Sequence, residues 1–562
     1  MSFLSKALRT LEVPVSERET LSVLQNPDLQ PIKPQYRIWG FWSNFGYWGI
    51  ISLSMVTWLS ASSSLSLGLN VREIIGAYIL GDLLTLAFTL ANSYPGTDWH
   101  IGYTVCQRIS FGIYGSGLGI LVRVLLSIVN AGSNAWMGGL ATSLLLSAWS
   151  PSYMNMSNTF SPGIAMTRRD FVGFIIFQII CALCYLIKPH KMNIPLVTSC
   201  FSCFFAMLGM VIFLVNKADG YGDLFTLETE LKGSKRAWTW VYIITIWFSS
   251  VSPGSTNQAD YSRFASSKTK LWAGTVLALL IPTTVVPLFG VIGASCTKAA
   301  YGEQMWVPTD IVLYWLNQHY DAATRCAATF IAFAFIYSQV CLNVVTCGFA
   351  GGMDLAGVLP KYINIRRGAL ITTALSFAVQ PWNFYNTSSS FLTVMSSFGV
   401  ITTPIISIIV CDYFIIRKGK YRISHAFKIK DSDYYYTWGV NWRAMVAFVC
   451  ATAPGLPGMA WQINNHYFSN AQGIINFYYG DTFFAFLISF FIYWGLCLWK
   501  PVTITQEVDK KDYYNAMTGK ELVKYGVEPC DEKSLNSSDE VEQISTHLEE
   551  SKINRILHRF HK

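Results

Sequence analysis

The sequence predicts an all-α polytopic membrane protein with about twelve transmembrane helices, each of bilayer-spanning length. Three observations carry this. Of 562 residues, 52% are hydrophobic and only 13% charged, with a mean hydropathy of +0.35. That charge content is far below the roughly 25% of soluble domains. Apolar runs of bilayer length recur along the chain, and one of them, from Trp238 to Tyr261, is interrupted by the polar string from Ser249 through Pro253-Gly254 to Gln258. Unwound polar backbone is tolerated at membrane depth only where it packs in protein or lines a cavity. The break therefore points to a solute-binding centre of the kind carriers build from discontinuous helices. A proline kink without function is the alternative.

The apolar runs lie at 41–64, 72–92, 117–147, 170–187, 193–215, 237–259, 272–295, 324–350, 368–380, 391–416, 443–463 and 481–499. The run at 368–380 is short for a span. Three regions follow: a segment over 1–40, a transmembrane domain over 41–500 and a tail over 501–562. The first holds Pro14, Pro27, Pro31 and Pro34 and no apolar core before Trp39, unlike a cleavable signal peptide.

Orientation is read from Lys and Arg in short loops. With the amino terminus inside, the cytoplasmic loops hold Lys188, Lys191, Arg263, Lys268, Lys270, Lys361, Arg366 and Arg367, and the group from Arg417 to Lys430. Both termini are then expected in the cytoplasm and the chain in the plasma membrane. Asn155 and Asn386 would lie outside, in short glycosylation sequons of a type frequent by chance. The tail reads as solvated and flexible, and its lysines offer sites to a ubiquitin ligase. The net charge of +8 reflects these loops and does not point to nucleic acid. Cys181-x-x-Cys184 and Cys200-x-x-Cys203 fall on spans and read as packing residues, so no metal or cofactor is expected. No phosphate loop, catalytic triad or metalloprotease motif is present in the sequence, so an ATPase or an enzyme is not expected.

Asp82 stands inside the second span, about ten residues from either end. A mid-membrane carboxylate costs about 2.5–3.5 kcal/mol on insertion scales, so it needs a partner. A substrate cation or a transported proton is one reading and a bond to a neighbouring helix the other. Asn130 and Asn134, spaced i and i+4, share a helix face, and two amides can pair with a polar heterocycle edge or with another helix.

Several strings carry a family resemblance: Asn26-Pro27-Asp28-Leu29-Gln30-Pro31, Tyr94-Pro95-Gly96, Arg108 to Gly115, Gly138-Gly139, Asn257 to Phe264, and Leu359 to Gly368. Together they resemble the nucleobase-cation symport family, and within it the fungal thiamine permeases and their nicotinamide riboside relatives. The resemblance implies a LeuT-type fold, a 5+5 inverted repeat plus two helices with the first and sixth spans broken. It places the family's base-stacking tryptophan at Asn130 and its hydrogen-bonding glutamine at Asn134. Trp48, Trp58 and Trp136 are candidates for the lost stacking surface. Ser52, Ser252, Gly254, Asn257, Asn343 and Thr346 complete the expected substrate site, and Asp82 is the expected cation or proton group. Asp260 and Arg263 are expected to gate. Counting back from Asp354, the sodium-ligating hydroxyl positions of sodium-coupled relatives fall on Cys341 and Leu342, and the substrate asparagine on Cys347. No side-chain oxygen is offered there, which favours protons, although a one-residue gap would bring Asn343 or Thr346 into play.

The expected activity is import of thiamine, a small cationic vitamin, coupled to protons, by alternating access. Nicotinamide riboside is the nearest alternative. A uracil, uridine or allantoin permease fits less well because Asn130 replaces the tryptophan. A non-transporting nutrient receptor is a reading of another class.

Overall fold

The computed structural model describes residue 24 and residues 28–530, apart from 162, 188, 227, 230, 465–471 and 503–506. Asn26, Pro27, Lys188 and the tail lysines beyond 530 lie outside the described residues.

The first span is two helices, α1 (Phe41–Ser52) and α2 (Met55–Ser64), bent by 44° across Leu53 and Ser54. Neither proline nor glycine stands at the joint. Hydroxyls make it affordable: Ser54 Oγ accepts from Thr57 N at 3.3 Å, and the Ser54 and Thr57 hydroxyls donate to Ile51 O at 2.9 and 3.0 Å. The freed backbone is thus satisfied inside the protein, as hydrocarbon requires. Further along α2, Ser60, Ser62, Ser63 and Ser64 each donate to a carbonyl three or four residues back.

α3 (Val71–Asn92) opens on an Asn70–Glu73 capping box. A short helix, α4 (Tyr103–Phe111), leads into α5 (Ser116–Trp149), the 34-residue third span. α6 (Arg168–Cys184) lies directly against α5. A Cβ at Gly138 would sit 2.2 Å from the Phe177 ring, and one at Gly139 would sit 2.6 Å from the Phe174 Cα. Small residues bring membrane helices to this separation.

After α7 (Asn193–Lys217), the sixth span forms α8 (Gly233–Thr256) and α9 (Gln258–Ser262). Here the structure corrects the sequence reading. The stretch 249–258 is helical through Pro253, and only Asn257 leaves the helix, at φ −97° and ψ 23°. Side chains supply the reason. Pro253 has no N–H for the Ser249 carbonyl, but Ser252 Oγ donates to it at 2.8 Å, and Thr256 Oγ1 donates to Ser252 O at 2.7 Å.

α10 (Lys268–Leu280) and α11 (Pro282–Tyr301) form the seventh span, and α12 (Pro308–Gln318) connects it to the eighth. The eighth comprises α13 (Ala322–Leu342), a π-helical segment (Asn343–Phe349) and α14 (Ala350–Val358). α15 (Ile365–Ser376), α16 (Ser388–Cys411), the bent pair α17 (Trp442–Thr452) and α18 (Gly455–Ile463), and α19 (Asp481–Trp499) complete the bundle. Among the described residues, 7 helices, or 9 counting the two bent pairs, are long and apolar enough to cross a membrane. α6, α8 and α15 occupy the fourth, sixth and ninth predicted positions. α8 packs on α16 and α3, and α5 on α13 and α6.

Residues 507–530, expected in a flexible tail, are folded onto the bundle. β1 (Lys511–Asp512) pairs in parallel with β2 (Glu528–Pro529), and α20 (Gly519–Tyr525) carries a Thr518–Glu521 capping box. Glu521 pairs with Arg37 at 3.1 Å and His100 at 3.0 Å, Asp509 accepts from Ser424 N at 2.9 Å, and the Tyr525 ring lies 4.6 Å from Trp99. Tyr514, Met517 and Tyr525 pack on the core cluster around Trp99, which an unstructured tail would not do. Burial pushes His100 below the usual histidine range against the pull of Glu521. Burial alone would raise the Glu521 carboxyl, but His100, the Thr518 amide and Arg37 outweigh it and hold the group well below its ordinary value. Both described ends of the chain therefore meet at one face of the bundle.

Candidate functional site

A central cavity of about 80 Å³ is enclosed by the first-span joint, the middle of α5, the end of α8, the π segment and α16. The joint contributes Ile51, Ser54 and Thr57; α5 contributes Arg123, Ser127, Asn130, Ser133 and Asn134; α8 contributes Trp247, Ser250, Val251, Pro253 and Gly254. Leu342, Thr346 and Cys347 line it from the eighth span and Met395 from α16. The volume is well short of the roughly 300 Å³ at which ligand pockets begin, so a ring-bearing solute requires these helices to part.

Asn130 and Asn134 face this cavity from adjacent turns. Asn134 Nδ2 donates to Cys347 Sγ at 3.3 Å, while no protein partner of the Asn130 amide is found among the described residues. Across the cavity stands the Trp247 indole, and the second span is shaped to hold it. A Cβ at Gly81 would fall 2.8 Å from the indole Cδ1, and the next residue, Asp82, accepts the Trp247 Nε1 proton at 2.7 Å. Tyr78 packs beside it with ring centroids 5.0 Å apart. The string Tyr78 to Asp82 is thus a seat for one tryptophan. Asp82 does not itself line the cavity; its second carboxylate oxygen is buried, with no hydrogen-bond partner among the described residues.

One end of the cavity is closed by a buried charge network. Arg123 Nη2 lies 3.5 Å from Asp354 Oδ2. The Asn257 amide, oriented by its hydrogen bonds, donates to Pro253 O at 2.9 Å and Gly254 O at 3.0 Å and accepts from Arg123 Nη2 at 3.0 Å. The residue that ends α8 therefore also ties it to α5. Below this, Asp260 Oδ1 accepts from Tyr103 N at 2.9 Å, and Arg263 donates to the Asp260 carbonyl at 3.1 Å and the Asp28 carbonyl at 3.1 Å. Asp260 and Arg263 are joined through backbone, with Asp28 of the amino-terminal motif laid across them.

Other residues expected at the site stand behind its wall. Trp48 donates to Gln258 Oε1 at 3.2 Å, with its ring against Gly254, where a Cβ would come within 3.3 Å. Ser52 Oγ bonds to Trp48 O, and Ser252 Oγ lies 2.6 Å from Thr402 Oγ1. Asn343 Nδ2 points to Cys181 Sγ at 3.7 Å. Trp58 packs on Gly290 and Gly293, and Trp136 on Trp382 and Phe174. The π segment shifts the helical register, so that both Thr346 and Cys347 reach the cavity. Cys341 turns away, its Sγ 3.7 Å from Pro195 O. Asn155 and Asn386 are exposed in loops. Sequence reasoning missed Trp247, Arg123 and Met395. The Gly81-Asp82 pair, a notch beside an acceptor, was a legible signal for a large ring with an N–H.

Residues 31–480 match the family described as permease for cytosine/purines, uracil, thiamine, allantoin. The chain belongs to this family. A thiamine transporter of Saccharomyces cerevisiae is 57% identical over 538 residues, covering 95% of this chain and 90% of that relative. Nicotinamide riboside transporter 1 of the same yeast is 55% identical over 534 residues, covering 95% and 89%. Among solved structures, Mhp1, a nucleobase-cation-symport-1 family transporter in a closed conformation with bromovinylhydantoin bound, aligns at a TM-score of 0.68 and 17% identity, covering 86% of this chain and 98% of that one. The inward-facing conformation of Mhp1 aligns at 0.67 and 18% identity, covering 86% and 96%. The fold is thus the LeuT-type transporter architecture. This permease is a multi-pass secondary transporter and not an enzyme.

Proposed function

We propose that this permease imports thiamine across the plasma membrane, coupled to protons, with both termini in the cytoplasm. The observation that carries the reading is the pairing of the Asn130 and Asn134 amides on one wall with the Asp82-anchored Trp247 on the other. Two amides present donors and acceptors to an aminopyrimidine edge, and an indole face attracts a desolvated heteroaromatic cation. Thr346 and Gly254 complete the lining, while Trp48, Ser52, Ser252, Asn257 and Asn343 support it from behind.

Proton coupling is supported by the eighth span. Ser338 Oγ donates to Leu53 O at 3.2 Å, tying the first-span joint to α13, and Cys341 and Leu342 offer no side-chain oxygen. Asp82, buried behind Trp247, is the group in position to exchange a proton. The Arg123–Asp354–Asn257 network, with Asp260, Arg263 and Asp28 beneath it, is the gate that must open toward the cytoplasm.

Nicotinamide riboside is the second reading, because a relative of that name is nearly as similar and its heteroaromatic cation suits the same indole. The deciding experiment is uptake of labelled thiamine and of labelled nicotinamide riboside in transporter-deficient cells at pH 5 and pH 7, with uracil as competitor. Saturable, acid-stimulated thiamine uptake indifferent to uracil supports the proposal. Uptake of nicotinamide riboside alone moves the protein to the second reading, and binding without net flux makes it a receptor.

A further inference from the structure

A second cluster of polar groups lies away from the central cavity, where α16, α17, α18 and α19 converge. Asp481 begins α19 and is 1% exposed, yet neither of its carboxylate oxygens has a hydrogen-bond partner among the described residues. The first amides of its own helix do not serve it, because Phe483 N and Phe484 N donate to Gly480 O at 3.0 and 3.1 Å. No charged side chain pairs with it among the described residues.

Three threonine hydroxyls share this condition. Thr403, Thr452 and Thr482 are at most 8% exposed, and their Oγ1 atoms find no partner among the described residues. Other threonines of the bundle behave differently. Thr85, Thr142 and Thr402 each donate to the carbonyl four residues back at 2.8 Å, as hydroxyls on membrane helices commonly do.

Helix register brings the four side chains together. Ser407 Oγ donates to Phe486 O at 2.8 Å and Cys411 Sγ meets Phe490 O one turn later, so α16 and α19 run parallel. One turn before Ser407 and Phe486, the same register sets Thr403 level with Thr482. At the joint of α17 and α18, a Cβ on Gly455 would fall 2.5 Å from Asp481 Oδ1 and 3.0 Å from Val400 Cγ1. Glycine is what leaves the carboxylate its room. Farther along, Asn441 Nδ2 donates to Tyr493 Oη at 3.3 Å, so α17 and α19 are antiparallel and Thr452 comes within a turn of Thr482. α16 adds a backbone oxygen, since Pro404 has no N–H for the Val400 carbonyl on the Thr403 face.

Carboxylate and hydroxyls thus reach one level without bonding to each other, as donors do around an interposed ligand. A proton would engage two of these oxygens and strand the rest, whereas a hard cation takes several at once. The single carboxylate fixes the charge: a divalent ion would leave a net charge buried, and a monovalent ion leaves none. We propose that Asp481, with Thr403, Thr452, Thr482 and the Val400 carbonyl, binds one alkali-metal cation. No sequence motif announces the site, because its oxygens come from three helices. None of these residues lines the central cavity, so the ion is a brace and not a transported solute. What it braces is α16, which carries Met395 of the cavity and Thr402, the partner of Ser252.

The test uses the purified full chain in detergent at neutral pH. Binding is measured with radioactive sodium and with rubidium in place of potassium, and thermal midpoints are compared in sodium, potassium and N-methylglucamine chlorides at equal ionic strength. One saturable cation per chain that depends on Asp481 is expected, with a midpoint about 2–4 °C higher in the alkali metal that binds. Asp481→Asn should abolish both effects. Thr482→Val keeps the carboxylate and the side-chain shape and should weaken binding about ten-fold, with folding verified by an unchanged elution profile. Absence of saturable binding to the wild type, or binding unchanged in either variant, would overturn the proposal. So would a midpoint that rises on acidification but with neither alkali metal, which would make Asp481 a neutral acid.

Discussion

Replacing Asp82 separates two roles that the geometry assigns to one carboxylate. As an acceptor it holds the Trp247 indole at 2.7 Å, and as an acid buried behind that ring it is the group proposed to exchange a proton. Asp82→Leu removes both roles, whereas Asp82→Asn keeps an acceptor of the same shape and removes only ionisation. A hydrogen bond to a charged group contributes about 1.5–3 kcal/mol, so losing the anchor in Asp82→Leu should raise the KM for thiamine by about ten-fold or more. In Asp82→Asn a neutral bond of about 0.5–1.5 kcal/mol remains, and KM should rise by less than ten-fold. What the asparagine variant should lose is acid stimulation and accumulation against a gradient, leaving exchange of internal for external substrate. The assay is labelled uptake and counterflow in vesicles from pH 5 to 7.5, normalised to surface protein. A wild-type pH profile in Asp82→Asn, or a wild-type KM in Asp82→Leu, would refute the reasoning.

Arg123→Met strands the Asp354 carboxylate in the bundle and should destabilise the protein by about 3–5 kcal/mol, while Arg123→Met with Asp354→Leu should recover the thermal midpoint in detergent but not transport. Gly139→Val drives a side chain into the Phe174 backbone, and an overpacking cost of about 1–3 kcal/mol or more should appear as a lowered midpoint with α5 and α6 loosened in hydrogen exchange. Replacing sodium by choline should leave uptake intact; a strict sodium requirement would contradict the assignment of the eighth span. The docked tail should loosen on acidification. His100 is held below its ordinary value when covered, so the released state binds more protons as pH falls from about 6.5, and release is favoured. Proteolysis of residues 507–530 should therefore quicken between pH 7 and pH 5, and His100→Gln should flatten that dependence.

The bundle was legible because length and apolarity decide spanning helices, and the short ninth span remained visible as α15. The break in the first span was expected only from family likeness. Its cause, two hydroxyls converging on Ile51 O, has no signature beyond a serine-rich helix, and most such serines here bond to their own turn. In the sixth span the proline was visible but its compensation by Ser252 was not, since a hydroxyl repair depends on a rotamer. Asn130 and Asn134 were placed on one face by spacing alone. Counting along the eighth span reached Leu342, Thr346 and Cys347, which line the cavity, and also Cys341 and Asn343, which turn away from it; the π segment alters the register there, and no residue type announces it. Trp247 was missed because its meaning lies in Gly81 and Asp82, on another helix.

The repair at Pro253 has a mechanical corollary. At Ser249 the continuity of the span rests on the torsion of one serine side chain, whose oxygen also lies 2.6 Å from Thr402. Swinging that hydroxyl fully to Thr402 would bare the Ser249 carbonyl at the cost of about one hydrogen bond, of order 1 kcal/mol. The sixth span is in this sense a spliced rod. Such a swing would let the span bend at one joint without unwinding and close again by a side-chain rotation, with Thr402 of α16 as the alternative partner.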